Sequence, residues 1–349
     1  MNAAGAILKS SRLRSLAKLG LVAALLYFLA KRGFLSVEAT GRALRQWQYV
    51  PPAWGLMLVS TVVSIFRWHL LMRAQGIDLP VRRTYQFGFI GNFFNIALPG
   101  AVSGDVVKAI YVGREVAGKR ARALSSILFD RVAGVSSLML VSTGAMIFSL
   151  DAPWAGRLLR AIQVIVTAGG ASIVCFYAYL FLVREHWDPL LKAFRALEAR
   201  SEKLGSLTRI YEGIRTYHEK RSIVLAALGI SLVIHCMVIA ACVLFARAIG
   251  ETNLPERAVF ILVPLGLFVT AVPIAPAGVG TGHAAFLALF HLLGSSRGAD
   301  IFNLFVLFNL GLGAVGGLVY LRFKGEVPFP GPESGDWDGP RKKAGAPAA

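Results

Sequence analysis

The chain has 349 residues, 56% of them hydrophobic, and a mean hydropathy of +0.61. Its 37 lysines and arginines outnumber 19 acidic residues, for a net charge of +18. Recurring apolar runs, each long enough to cross a hydrocarbon core of ~30 Å, exclude a set of soluble domains. The basic excess is then read as loops that meet anionic headgroups, not as a nucleic-acid surface.

Taken in chain order, Lys9, Arg12, Arg14 and Lys18 precede the apolar run Leu19–Ala30 and imitate a secretory leader. Lys31 and Arg32 follow where a small-x-small cleavage site would stand, so the run is expected to be retained as a first span, Ser15–Ala30. Five further spans are predicted at Val50–Met72, Leu124–Leu150, Ala161–Val183, Ile223–Phe245 and Ile301–Leu321. Pro51 and Pro52 suit a helix start, where a missing N–H costs nothing. Two other apolar stretches, Tyr85–Ala101 and Val259–Leu293, are interrupted by glycine, proline and asparagine. Broken helix is tolerated at membrane depth only where protein or a wet cavity surrounds it, so both are predicted to be re-entrant or broken elements. The expected fold is all-α, a polytopic membrane helix bundle of about six spans plus these two elements.

With the N-terminus inside, most of the 37 basic residues fall in Met1–Lys18, Arg73–Arg83, Asp105–Ala123, Arg184–Arg221 and the stretch after Leu321. This asymmetry predicts cytoplasmic termini in a cell inner membrane, with Lys31–Tyr49 as the misfit. Arg184–Arg221 carries apolar residues at three- and four-residue steps, which predicts an amphipathic segment on the cytoplasmic surface, in one helix or two divided near Gly205. Residues 1–324 are expected to form one membrane domain, and the Pro-, Gly- and Ala-rich residues 325–349 a disordered tail. Cys175, Cys236 and Cys242 lack metal spacing and are expected to pack as free thiols. No metal or cofactor is expected; a homo-oligomer is possible.

The candidate site begins in Gly88–Asp105, which holds Asn92, Asn95 and a terminal Gly104-Asp105 pair. A Pro-Gly break ahead of a helix start offers free N–H groups to a phosphate, unless Asp105 caps them itself. Lys108 follows one turn later. Asp130 and Arg131 lie about two turns inside a span, where a charge costs ~2.5–3.5 kcal/mol and normally faces a partner. Asp105 is the preferred partner for Arg131, and Arg67 or Lys108 for Asp130; the competing reading leaves both shallow enough to reach the interface. Arg67 could meet a lipid phosphate through its guanidinium. In the second broken element, Gly278 and Gly280 open the backbone, and His283 could bind substrate or serve as a satisfied interhelical histidine. His235 is read as packing, and Gly313 with Gly317 as a close helix contact.

Arg67-Trp68 with Gly76, Gly91-Asn92-Phe93-Phe94-Asn95 through Leu98-Pro99 to Gly104-Asp105, Lys108, Asp130-Arg131 and Pro273 through Gly280 together resemble the lysylphosphatidylglycerol synthase transmembrane-region family. The resemblance runs from about Ser15 to Leu321. It implies a helical bundle with two re-entrant elements that translocates lipids with modified or glycosylated headgroups, its partners being membrane lipids and not nucleic acid. Two departures are visible: His283 stands where the family often has an acidic residue, and the 325–349 tail is too short for the soluble aminoacyl-transferase domain of the full synthases. Lipid flipping is therefore the leading expectation, ahead of a membrane-embedded transferase using Asp105 or Asp130 as base, or an accessory scaffold.

Overall fold

Apolar length decides which segments become the long helices. The structure, a computed structural model, describes residues 37–97, 103–116, 119–147, 157–200, 205–252, 254–271 and 278–323. Among these residues the chain forms helices α1 (Val37–Leu44), α2 (Val50–Ala74), α3 (Val81–Ala97), α4 (Ser103–Glu115), α5 (Arg120–Ile147) and α6 (Arg157–Leu182). It continues through α7 (Pro189–Arg200), α8 (Gly205–Arg215), α9 (Arg221–Ala248), α10 (Glu256–Ala271), α11 (Thr281–His291) and α12 (Gly298–Arg322), with no strand. Helices α2, α5, α6, α9 and α12 are long and apolar enough to span, and they match five of the six predicted spans to within a few residues. The sixth, Ser15–Ala30, and the predicted tail from residue 325 lie outside the described residues. The chain is an all-α polytopic membrane bundle.

Helix α2 stops where Gly76 adopts φ 72° and the Ile77 N–H reaches back to the Met72 carbonyl at 3.0 Å. Only the missing Cβ makes that left-handed turn cheap. The chain then reverses, so that His69 meets Thr84 at 3.0 Å.

Helices α3 and α4 form an antiparallel hairpin. Along α3, the residues Arg83, Phe87, Gly91 and Asn95 meet partners that step backwards along α4: Glu115, Tyr111, Lys108 and Gly104. Both ends of the hairpin therefore return to the C-terminal end of α2. The glycines expected to break this stretch do not. Gly88 and Gly91 sit inside a continuous helix, and a Cβ there would fall 2.7 Å from Ile65 and 2.8 Å from Lys108. They permit close packing, and the reversal itself falls between Ala97 and Ser103.

Helices α10 and α11 make a second hairpin, with Gly266 against Phe286 and Thr270 against Gly278. Pro264 lies within the continuous α10, and among the described residues of the hairpin positive φ falls at Gly278 and Gly280, beside the turn. The segment Pro273–Pro276 lies outside the described residues.

Helix α12 relates the two hairpins. Its Gly298 rests on Phe286, Asn303 bonds to His283, Gly313 packs on Ile96 and Gly316 on Phe89, and Phe323, just past its end, packs on Phe87. Followed along its length, α12 passes the second hairpin from base to tip and then the first from tip to base. The hairpins thus enter from opposite ends, and their tips face one another across the middle of α12. Gly313 and Gly316 make close contacts on α12, and the predicted partner Gly317 is buried beside them.

The Arg184–Arg221 segment docks at the end where the first hairpin is rooted. Gln75 donates to the Gly213 carbonyl at 2.6 Å, Ser125 to Ile210 at 2.9 Å and Tyr217 to Leu71 at 3.0 Å. It forms two helices, α7 and α8, as the break near Gly205 suggested. Trp187, Leu190, Leu197 and Leu207 remain exposed along it. Asp188 anchors the segment. Its fully buried carboxylate accepts from the Tyr179 and Tyr211 hydroxyls at 2.6 and 2.9 Å and from the Leu190 and Leu191 N–H groups, and pairs with Arg215 at 3.1 Å. Burial alone would raise its pKa, but these donors and the Arg215 charge hold it below the ordinary carboxylate value. A depressed carboxylate stabilises the fold above its unfolded pKa. The anchoring is accordingly expected to be complete at neutral pH and lost only as pH falls below about 4. Asp188→Asn should expose α7 to limited proteolysis at neutral pH, while the spanning helices stay protected.

Of the three cysteines, Cys242 is buried as expected, whereas Cys175 and Cys236 are exposed on the outer faces of α6 and α9.

Candidate functional site

A cavity of about 440 Å³ lies where the two hairpin tips approach each other. From α2 it is lined by Ser60, Thr61, Ser64, Arg67 and Trp68, and from the first hairpin by Asn92, Asn95, Ile96 and Lys108. Helix α5 adds Asp130, Arg131 and Gly134, and α9 adds His235. The second hairpin adds Leu267, Thr270 and Gly278, and α12 adds Phe305, Phe308, Asn309 and Leu312. Helical spacing puts the α12 group on one face, between the two tips.

Two ion clusters form one wall. Arg67 is 5% exposed; its Nε donates to Asp130 Oδ1 at 2.8 Å, Nη2 to the Asp130 carbonyl at 3.3 Å and Nη1 to Ser231 Oγ at 2.5 Å. The guanidinium lies over Gly134, where an added Cβ would come within 3.7 Å of it. His235 Nε2 reaches the Gly134 carbonyl at 2.9 Å. The second cluster centres on Asp105, which is 4% exposed. Its Oδ1 meets Lys108 Nζ and its Oδ2 meets Arg131 Nε, each at 2.6 Å. The Lys108 ammonium also sits 5.1 Å from the centre of the Trp68 ring, and the Trp68 indole donates to Ser126 at 3.3 Å.

The structure makes the preferred Asp105–Arg131 pair and chooses Arg67 over Lys108 for Asp130. Arg131 lies 11 residues into α5, roughly 16 Å from that helix's start at 1.5 Å per residue. Each of these charges has an opposite partner, and the Arg131 side chain stays 45% exposed. The capping alternative for Asp105 fails for a local reason. Asp105 is the third residue of α4, inside its first turn, and its carboxylate meets Lys108 and Arg131, while Asn95 Oδ1, reaching across from α3, accepts the Gly104 N–H at 2.9 Å. That bond also takes one of the N–H donors at this helix start away from a phosphate.

Gly280 and His283 are not in the cavity wall. His283 Nδ1 accepts the Gly280 N–H at 3.2 Å, closing the first turn of α11, and Nε2 donates to Asn303 at 2.7 Å. That is the interhelical role, with the tautomer set by the Gly280 bond. Of the second glycine cluster, Gly278 does line the cavity.

Sequence reasoning missed the hydroxyl face of α2 and the His235 contribution. The signal was present: Ser60, Ser64 and Arg67 recur at helical spacing, so three polar positions in an apolar span share one side. Among the described residues no group of three or more His, Cys, Asp or Glu is placed to hold a metal. Chemically, the site offers paired charges, amides and hydroxyls at the mid-length of the long apolar helices, beside an apolar wall. Each carboxylate is already matched to a cation.

No curated protein and no solved structure showed significant similarity to the chain. A family model described as "Lysylphosphatidylglycerol synthase TM region" matches residues 15–310, which include both hairpins and, among the described residues, the cavity-lining charged or titratable side chains Arg67, Lys108, Asp130, Arg131 and His235. With that match added to the opposed hairpins and their shared ion clusters, the chain belongs to the lysylphosphatidylglycerol synthase TM region family as a multi-pass membrane protein.

Proposed function

We propose that the protein translocates a phospholipid or glycolipid with a modified headgroup between the leaflets of the inner membrane. One observation carries the reading: a charged cavity of about 440 Å³ lies at the mid-length of the long apolar helices, between two hairpins that approach it from opposite ends. An intramembrane charge costs ~2.5–3.5 kcal/mol on insertion scales, so retaining Arg67, Lys108, Asp105, Asp130 and Arg131 there implies a use for them. Opposed broken elements meeting at the midplane are a transporter arrangement, in which each hairpin closes one side of a shared site. The headgroup would pass along the ionic wall while the acyl chains stay in lipid.

Orientation follows from charge. Arg73, Arg82, Arg83, Lys119, Arg120 and the basic residues of Arg184–Arg221 collect at the end where the first hairpin is rooted. That end is assigned to the cytoplasm. Membrane lipids are the partners this assignment requires. Asp105 and Asp130 are each engaged by cations, which suits charge matching better than proton abstraction and favours transport over a transferase.

The test is reconstitution into vesicles carrying phospholipids and a glycolipid labelled on the acyl chain, with the outer leaflet bleached chemically. Transport predicts loss of signal beyond half, faster than in protein-free vesicles and slowed by substituting Arg67. Identical kinetics with and without protein for every labelled lipid would reject the reading.

A further inference from the structure

Three cations and two carboxylates make up the ionic wall: Arg67, Lys108 and Arg131 against Asp105 and Asp130. Among the described residues of the wall and their ion-pair partners, with His235 counted as neutral, the surplus is one positive charge.

The three cations are not equivalent. The Arg67 side chain is 7% exposed and held by Asp130 and Ser231. Lys108 is 14% exposed, bound to Asp105 and seated on Trp68. Arg131 is 45% exposed, lines the cavity and shares its carboxylate with Lys108. If Arg131 turns from Asp105 to a ligand, Lys108 remains on the other oxygen and no buried carboxylate is stranded. Arg67 has no such stand-in; moving it would leave Asp130 uncompensated.

On the translocation reading above, we infer that Arg131 takes the lipid's phosphate and that the site is matched to a single monoanionic phosphodiester. With Arg131 on such a phosphate, Arg67–Asp130 and Lys108–Asp105 remain as neutral pairs and the whole wall carries no net charge. A phosphomonoester brings up to two negative charges and leaves one unmatched in a poorly polarisable medium; an uncharged headgroup leaves the surplus cation unmatched. Guanidinium and phosphate oxygens suit each other in bidentate geometry. The exchange trades the Arg131–Asp105 contact for a charge-assisted contact of the same kind with phosphate, so the ligand can enter without a deep trap and leave again.

The experiment uses the full chain in vesicles with three lipids labelled on the acyl chain: phosphatidylglycerol, phosphatidic acid and glucosylceramide. Heat stability in detergent is measured with the same unlabelled lipids. Wild type should move phosphatidylglycerol fastest and be stabilised most by it. Arg131→Gln should cut that preference about tenfold or more, the loss of one charged hydrogen bond, while Arg131→Lys retains part of it. Asp105→Asn, which raises the surplus to two, should shift preference toward phosphatidic acid. An unchanged phosphatidylglycerol-to-glucosylceramide ratio in Arg131→Gln would overturn the assignment. Wild type moving none of the three would reject translocation instead, and the stability arm would still decide whether Arg131 recognises the phosphodiester. Equal stabilisation by soluble glycerophosphoglycerol would place the ligand in solution and overturn the lipid assignment.

Discussion

Arg67→Met is expected to destabilise the protein by about 3 kcal/mol, the lower part of the range for breaking a buried ion pair from one side. The loss is large because Asp130 is then left charged beside an apolar wall, and Ser231 loses its donor, while methionine refills most of the side-chain volume. The lower part of the range applies because Asp130 borders the cavity, where water can reach it. Adding Asp130→Asn should restore more than half of the loss, since the orphaned charge disappears with it. Reversible unfolding in mixed micelles measures both variants. If the double variant is no more stable than Arg67→Met alone, the cost came from packing and the ion pair is not what holds α2 to α5.

The ionic wall was legible in the sequence because charge inside an apolar run has few innocent explanations. Arg67, Asp130 and Arg131 stood out one by one, and the need for partners linked Arg131 to Asp105 before any geometry was known. The Asp130 partner stayed open between Arg67 and Lys108, because a helix phase fixes which way a residue points but not which neighbouring helix it meets. The glycines show the opposite limit. Gly88 and Gly91 read as breaks, since glycine weakens an isolated helix. In the fold they let Ile65 and Lys108 approach the α3 backbone, a tertiary reason that one-dimensional spacing does not carry. His283 belongs to the same class. Its ring is occupied by Gly280 and Asn303, and only the pairing of α11 with α12 reveals that.

Helix α12 supplies the second large effect. An added Cβ at Gly316 would stand 2.1 Å from the Phe89 carbonyl oxygen and 3.1 Å from Phe93 Cβ. The obstacle is backbone, so no rotamer change relieves it and α3 must move away from α12. Overpacking of this kind costs about 1–3 kcal/mol, and Gly316→Ala is expected at the upper end of that range. At Gly311, five residues earlier on the same helix, a Cβ meets nothing within 4 Å. Gly311→Ala should be neutral or stabilising by up to about 1 kcal/mol through helix propensity alone. The two alanines thus separate the intrinsic cost of glycine from the value of close approach. Because α3 also carries Asn92, Asn95 and Ile96 into the cavity wall, displacing it should reshape the site as well as weaken the fold. Gly316→Ala is therefore expected to lose lipid movement even at temperatures where it stays folded, while Gly311→Ala keeps wild-type rates. Thermal unfolding followed by vesicle assays on both variants checks this. Equal behaviour of the two would mean that the α3–α12 seam is not the fixed support against which the first hairpin is held.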